Sequence, residues 1–205
     1  MEPERIAVLG AGSLRCMPGI AGSFAAFFGE RPLEVRLFDA DVERLDLFER
    51  FCRLLFRFNQ AGHELSATPD PLEALDSAER VIFCVGENCA QKYFRAVRRS
   101  GSATGSQFGL VEQVVEALTP SIPDNVELLS LLGADVPVPF PHYRRSPWPP
   151  APTAVERAAI PHQILRFLNG EDYPHALLKE ASTSPLKGWL EDVETIPSIL
   201  GRREA

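Results

Sequence analysis

The feature that most constrains the fold is the apolar run IAVL at residues 6–9, which stops at Gly10-Ala11-Gly12-Ser13 and gives way to a helix-forming stretch at about residues 18–28. After it comes LEVRLF at residues 33–38, alternating apolar and polar and ending at Asp39. Strand, glycine turn, helix and second strand make a βαβ unit, whose parallel strands demand a right-handed crossover. The pattern continues. Residues 41–62 read as a long amphipathic helix with Asp41 as N-cap and Val42, Leu45, Phe48, Cys52, Leu55 and Phe56 at helical spacing. A short third strand is expected at 66–68, a short helix at 71–78, a fourth strand at 80–85 closed by Gly86, and a helix at 107–118. The fold class expected is α/β: a doubly wound, mainly parallel Rossmann-like sheet over residues 1–135. Residues 136–205 are expected as a proline-rich strap and short helices packed on that sheet or on a neighbouring subunit.

The glycine turn has a chemical reading. Gly10 permits a tight bend, and Gly12 lets backbone approach a pyrophosphate at the N-terminal end of the next helix. Asp39, 29 residues after Gly10 at a strand's C-terminal end, is placed to accept hydrogen bonds from an adenosine ribose. Its charge would repel a 2′-phosphate, which favours NAD over NADP. The cofactor-binding residues expected are Gly10, Ala11, Gly12, Ser13, Leu14, Arg15, Asp39, Val85 and Gly86. The alternative is that the glycines merely shape a βα turn and Asp39 caps the next helix.

GAGSLR at 10–15 followed by Pro18, LFDADVERL at 37–45 and TPDPLEALDSAERVIFCVG at 68–86 together resemble the NAD-dependent family-4 glycoside hydrolases of the 6-phospho-glycosidase type. The resemblance covers residues 5–86 and departs from a full dinucleotide fingerprint at Arg15, where a third glycine is usual. It implies an NAD-binding Rossmann-like domain. In that family NAD withdraws a hydride from the sugar, and a metal held by a Cys-Asn-x-Pro segment and a later His acidifies the neighbouring carbon. Neither metal segment occurs in this sequence: VELLSLL at 126–132 runs into Gly133-Ala134-Asp135-Val136-Pro137. The large substrate domain with its catalytic Tyr has no room either. The expectation is therefore an NAD-binding protein without metal-dependent glycosidase activity. The alternatives are an NAD-dependent oxidoreductase or hydrolase acting on a small sugar-like or phosphorylated substrate, or a structural remnant that binds no nucleotide.

Several other chemistries are excluded or demoted. The net charge of −7 argues against nucleic acid, and no run of about 18 apolar residues encodes a membrane span. Two acids precede the first apolar run, the wrong flank for a secretion signal. Four scattered cysteines suit reduced thiols, and a cytoplasmic setting is expected. Cys84 and Cys89, with His142, His162 and His175 downstream, are spaced too loosely for zinc, so no metal is expected. Cys16, in the first turn of the cofactor helix, either has its pKa lowered by the dipole or packs on the sheet. No GxSxG, HExxH or GxxxxGK[ST] occurs.

Lys92, Arg95, Arg98 and Arg99, followed by the Ser/Thr/Gly stretch at 101–106, could attract a small anionic ligand; the alternative is a solvated helix face and a loop. Residues 136–152, VPVPFPHYRRSPWPPAP, hold seven prolines in seventeen residues and are expected to run extended. Recognition by a proline-binding module is a lesser alternative. Short helices should follow: one capped by Thr153, a next with Pro161 in its first turn that presents Ile164, Leu165 and Leu168 and ends at Asn169-Gly170, and others at 172–181 and 184–190. Phe140, Tyr143, Trp148, Phe167, Leu177, Leu178 and Trp189 need a surface to cover them. A homo-oligomer is expected to provide it, against the alternative that the tail folds back over its own sheet.

Overall fold

Two-residue periodicity divides each central strand between two cores. In β1 (Glu4–Leu9), Ile6 and Val8 join one cluster while Ala7 and Leu9 join the other, and all four are fully buried. β4 (Arg80–Phe83) splits likewise: Ile82 lies in the first cluster, Val81 and Phe83 in the second. Strands buried on both faces read as continuous apolar runs, and parallel sheets require such burial. The computed structural model describes residues 2–27, 31–99, 110–123, 125–132, 143–145 and 164–170.

Six parallel strands form one sheet in the order β3-β2-β1-β4-β5-β6, where β2 is Leu33–Phe38, β3 Glu64–Thr68, β5 Glu127–Ser130 and β6 Tyr143–Arg145. This is the expected Rossmann-like architecture. The strand order reverses between β1 and β4, and in such sheets the crevice beyond the strands' carboxyl ends at that point is where ligands sit. The first core lies under α1 (Met17–Ala26) and α2 (Val42–Phe58). The second lies under α3 (Pro71–Leu75), α4 (Glu87–Arg99) and α5 (Leu110–Leu118).

Differences from expectation have local causes. α2 ends at Phe58, not at 62, because Gln60 takes a left-handed φ of 55° and its amide bonds to the Arg57 carbonyl while Ala61 bonds back to Phe56. Val42, assigned to the apolar face, is 58% exposed in the first turn, and Phe51 is buried in the core instead. Asp41 stands at the N-cap position, but its carboxylate turns chiefly to Lys92 and Asn88, and the Arg44 amide behind it adds a weaker pull that falls short of a full cap bond. The polar start expected after β4 is the helix α4, whose Cys89 and Ala90 face the second core. α5 begins at Leu110, and residues 107–109 lie outside those described.

Within the proline-rich stretch, β6 pairs with β5 as an edge strand, the place where a chain short of amide donors can join a sheet. A further helix, α6 (164–168), buries Ile164, Phe167 and Leu168 in the first core, with Leu165 half-buried against it. That piece folds back on its own chain. The remainder of the strap, the helix capped by Thr153 and the helices at 172–181 and 184–190 lie outside the described residues, as do Phe140, Trp148, Leu177, Leu178 and Trp189.

Candidate functional site

The turn between β1 and α1 is built from backbone sterics. The amides of Gly10 and Ala11 both donate to the Phe38 carbonyl, at 2.9 and 2.8 Å, and fold the chain sharply off the strand. Gly10 holds φ +98°, and a Cβ there would lie 2.4–2.5 Å from the Cys84 and Val85 backbone. Only glycine fits between turn and strand. At Gly12 a Cβ would sit 2.8 Å from the Asp39 carboxylate and 3.0 Å from the Arg44 Cβ. Both glycines are thus demanded from inside the protein, and at Gly12 the crowding group is an acid side chain.

Asp39 lies where the sequence places it, just past β2, but its carboxylate is already engaged. Oδ2 accepts the Gly12 amide at 2.7 Å and Oδ1 accepts the Asp41 amide at 2.7 Å. The residue is 1% exposed, and burial raises its pKa against the opposing pull of those two amides. Asp41 is different. Its Oδ1 takes Lys92 Nζ at 2.6 Å, its Oδ2 takes Asn88 Nδ2, and Arg44 Nε stands 3.5 Å from Oδ2. Burial pulls its pKa up, but the bonds from Lys92 and Asn88 outweigh it and hold the carboxyl below the usual range.

Above the turn opens a cleft of about 550 Å³. It brings together Gly12, Ser13, Leu14, Arg15, Asp39, Val85 and Gly86 of the expected set, while Gly10 and Ala11 lie buried beneath it. Ser13 Oγ accepts the Cys16 amide at 3.3 Å, and the Leu14 amide donates to none of the described residues. Sequence reading missed Arg44, Glu87, Asn88, Val111, Leu131 and Leu132 in the lining. Arg44 and Asn88 had a signal available, because each lies in the first turn of its helix, at the carboxyl end of the sheet. The apolar three did not.

The thiols are inert packing groups. Cys16 is 3% exposed and burial pushes its pKa up to about 11, so the dipole-lowered alternative fails. Cys84 Sγ donates to the Gly10 carbonyl at 3.3 Å, and burial raises both Cys84 and Cys89 well above an ordinary thiol. Among the described residues no group of three His, Cys, Asp or Glu side chains could hold a metal ion, and no helix is long and apolar enough to cross a membrane. Of the expected anion-attracting cluster, Lys92 is spent on Asp41 and Arg95 is exposed. The side chains of Arg98 and Arg99 and the stretch 101–106 lie outside the described residues.

No protein-family model and no curated protein matches the sequence. Among solved structures, a 6-phospho-alpha-glucosidase from gut microorganisms in complex with NAD and Mn2+ is similar at 20% identity and a TM-score of 0.45, over 80% of this chain and 36% of that one. A 6-phospho-beta glucosidase from Thermotoga maritima with NAD and glucose-6-phosphate is similar at 17% identity and a TM-score of 0.44, over 63% of this chain and 34% of that one. The lactate dehydrogenase of Cryptosporidium parvum, with lactic acid and NAD, is similar at 15% identity and a TM-score of 0.40, over 86% of this chain and 44% of that one. The chain therefore spans less than half the length of each of these proteins.

Proposed function

We propose that this protein binds NAD in the cleft above Gly10–Ser13 and has no metal-dependent glycosidase activity of its own. The observation that carries the reading is the position of the cleft, over a glycine turn at the reversal point between β1 and β4. The residues present suit the cofactor. The Leu14 amide, which donates to none of the described residues, the Ser13 hydroxyl and Arg15 would meet the pyrophosphate at the start of α1. Nothing lies within 4 Å of a Cβ built on Gly86, which leaves room for the adenosine beside the end of β4. Val111, Leu131 and Leu132 offer an apolar wall for the nicotinamide ring. Bound NAD would supply hydride acceptance. The chain's own part is to bind and orient it.

Asp39 enters this reading as the group that shapes the turn, since a ribose hydroxyl would have to displace the wall to reach a carboxylate that is 1% exposed. The same observation favours the second reading, a remnant that binds no nucleotide, because the Gly12 amide is already taken. Isothermal titration separates the two. Saturable heat is expected with NAD at concentrations up to about 1 mM, the weak end of specific binding. Its absence overturns the proposal. Manganese-dependent release of a chromogenic phenol from 6-phosphoglycosides, lost on chelation, would overturn the second half.

A further inference from the structure

α2 carries a second apolar stripe, on the side away from the sheet. Its core stripe, Leu45, Phe48, Cys52 and Phe56, is buried. On the opposite side Leu54 is 58% exposed and Phe58, one turn on, is 85% exposed, with Leu47 half-buried two turns before Leu54. At 3.6 residues per turn, Glu43, Leu47, Arg50, Leu54, Arg57 and Phe58 fall within about 100° of one another around the helix. A lone exposed apolar residue is ordinary on a protein surface, whereas apolar residues aligned along the outer face of one helix mark a contact surface. The stripe stands apart from the cleft, to which α2 contributes Arg44.

Charge is ordered along the same helix. Glu43, Asp46 and Glu49 lie in its first half and Arg50, Arg53 and Arg57 in its second. Arg44 departs from that order, and it stands 3.5 Å from Asp41. The inner pairs close within the helix, Arg50 on Asp46 at 2.9 Å and Arg53 on Glu49 at 2.6 Å. Glu43 in the first turn and Arg57 in the last are exposed and make no ion pair with any of the described residues.

We propose that a second copy of this chain docks on α2, with the two helices antiparallel about a two-fold axis near Arg50. In that register Leu47 of each copy meets Leu54 of the other, and Glu43 of each meets Arg57 of the other. Phe58 lies over the first turn of the opposite helix. A parallel pairing would instead set Arg57 against Arg57 and Glu43 against Glu43. Arg50 faces its own counterpart near the axis, and its bond to Asp46 offsets the repulsion. One pair of 17-residue helices is a small interface beside the roughly 1,600 Å² of a standard one, so a Kd of about 1–100 µM is expected.

The test is sedimentation equilibrium of the full chain at concentrations spanning that Kd. The mass is expected to rise from that of one chain, 22.7 kDa, toward that of two. Leu54→Ser and Phe58→Ser should each weaken association at least about tenfold and leave the thermal midpoint of the monomer unmoved. Glu43→Lys and Arg57→Glu should each weaken it about threefold at low salt, and the double variant Glu43→Lys/Arg57→Glu should restore it. Arg50→Cys adds an exposed thiol beside the axis to four buried ones, and an added oxidant should link two copies through it. A mass of one chain throughout overturns the proposal. So does a dimer that the four single variants at residues 43, 54, 57 and 58 leave unmoved, or a double variant that fails to restore association. A concentration-independent monomer whose thermal midpoint falls in Phe58→Ser would mean that the chain covers this face itself, and overturns it equally.

Discussion

The two ends of the same strands are finished in opposite ways. At the carboxyl ends of β1, β2 and β4, polar groups bond to one another along the walls and leave a cleft between them. At the amino ends, polar groups bond across the gap and close it. Arg80 there reaches Glu4 at 2.9 Å and Glu127 at 3.1 Å through Nε. Its Nη1 donates to the Phe167 and Leu168 carbonyls at 3.0 and 2.6 Å, and its guanidinium carbon lies 5.5 Å from the Phe167 ring centre. One arginine thus joins β1, β4, β5 and the last turn of α6. The contrast separates roles: the closed end holds the sheet together, and the open end is free to hold a ligand. Changes at the closed end should lower stability and leave ligand affinity per folded molecule alone.

The largest effect expected is at the open end, because its shape depends on a backbone conformation that no side chain can rescue. Gly10→Ala places a Cβ 2.4–2.5 Å from the Cys84 and Val85 backbone just past β4, at a φ of +98°. Neither backbone can move without breaking the β1–β4 register, so a loss of roughly 3–5 kcal/mol is expected in urea unfolding. Next comes Arg80→Met at the closed end. It keeps an apolar stem but leaves the largely buried Glu4 side chain, among the described residues, with only a distant Arg31 at 3.9 Å, and strips two helix carbonyls of their donor. A loss of about 2–3 kcal/mol is expected, with NAD affinity unmoved. A weakened affinity in folded Arg80→Met would show that the two ends are coupled and would break the contrast. Gly12→Ala should cost about 2 kcal/mol, since its methyl displaces the Asp39 carboxylate and breaks its hydrogen bond from the residue 12 N–H beneath the cleft; NAD binding should fall with it.

The open end was legible in the sequence to the extent that its causes are local. IAVL running into Gly10-Ala11-Gly12, with Asp39 ending the next strand, marks strand, turn and strand end by residue type alone. What the acid would do was not legible. Asp39 bonds to an amide 27 residues earlier, and Asp41 to a lysine 51 residues later, partners that only the closed sheet brings together. Asp41 at the head of a helix is a good cap by type, and Lys92 outbids the helix amides for it through full charge. The end of α2 was hidden for another reason: Gln60 adopts the left-handed conformation that glycine usually marks. At the closed end, Arg80 reads as a polar lead-in to an apolar strand, and nothing in its neighbours announces a contact with residues 167 and 168.

The smallest effect expected is a pH dependence near the closed end, and its sign is fixed by hydrogen bonding. His63 Nδ1 accepts the Leu33 amide at 3.1 Å, and Nε2 lies 2.9 Å from the Phe24 carbonyl. A carbonyl needs a donor and an amide needs an acceptor, so the ring is neutral with its proton on Nε2. Burial lowers the pKa below 6.5, and the carbonyls of Phe24 and Phe27 only partly restore it. A proton on Nδ1 would face the Leu33 amide and cost that bond at the first residue of β2, about 1 kcal/mol. The unfolded chain binds the proton more readily, so this contribution is complete above about pH 6.5 and is lost as pH falls through the depressed folded value. His63→Gln should therefore unfold with a weaker dependence on pH between about 7.5 and 5 than the unmodified protein. NAD affinity should be unchanged at pH 7.5 in that variant, because the ring packs at 5.4 Å from Phe56 and 6.5 Å from Phe27, beneath α1 and α2 and away from the cleft. Identical pH profiles for the two proteins would mean that the ring titrates alike folded and unfolded, and the His63–Leu33 bond would then drop out as a source of pH dependence at the closed end.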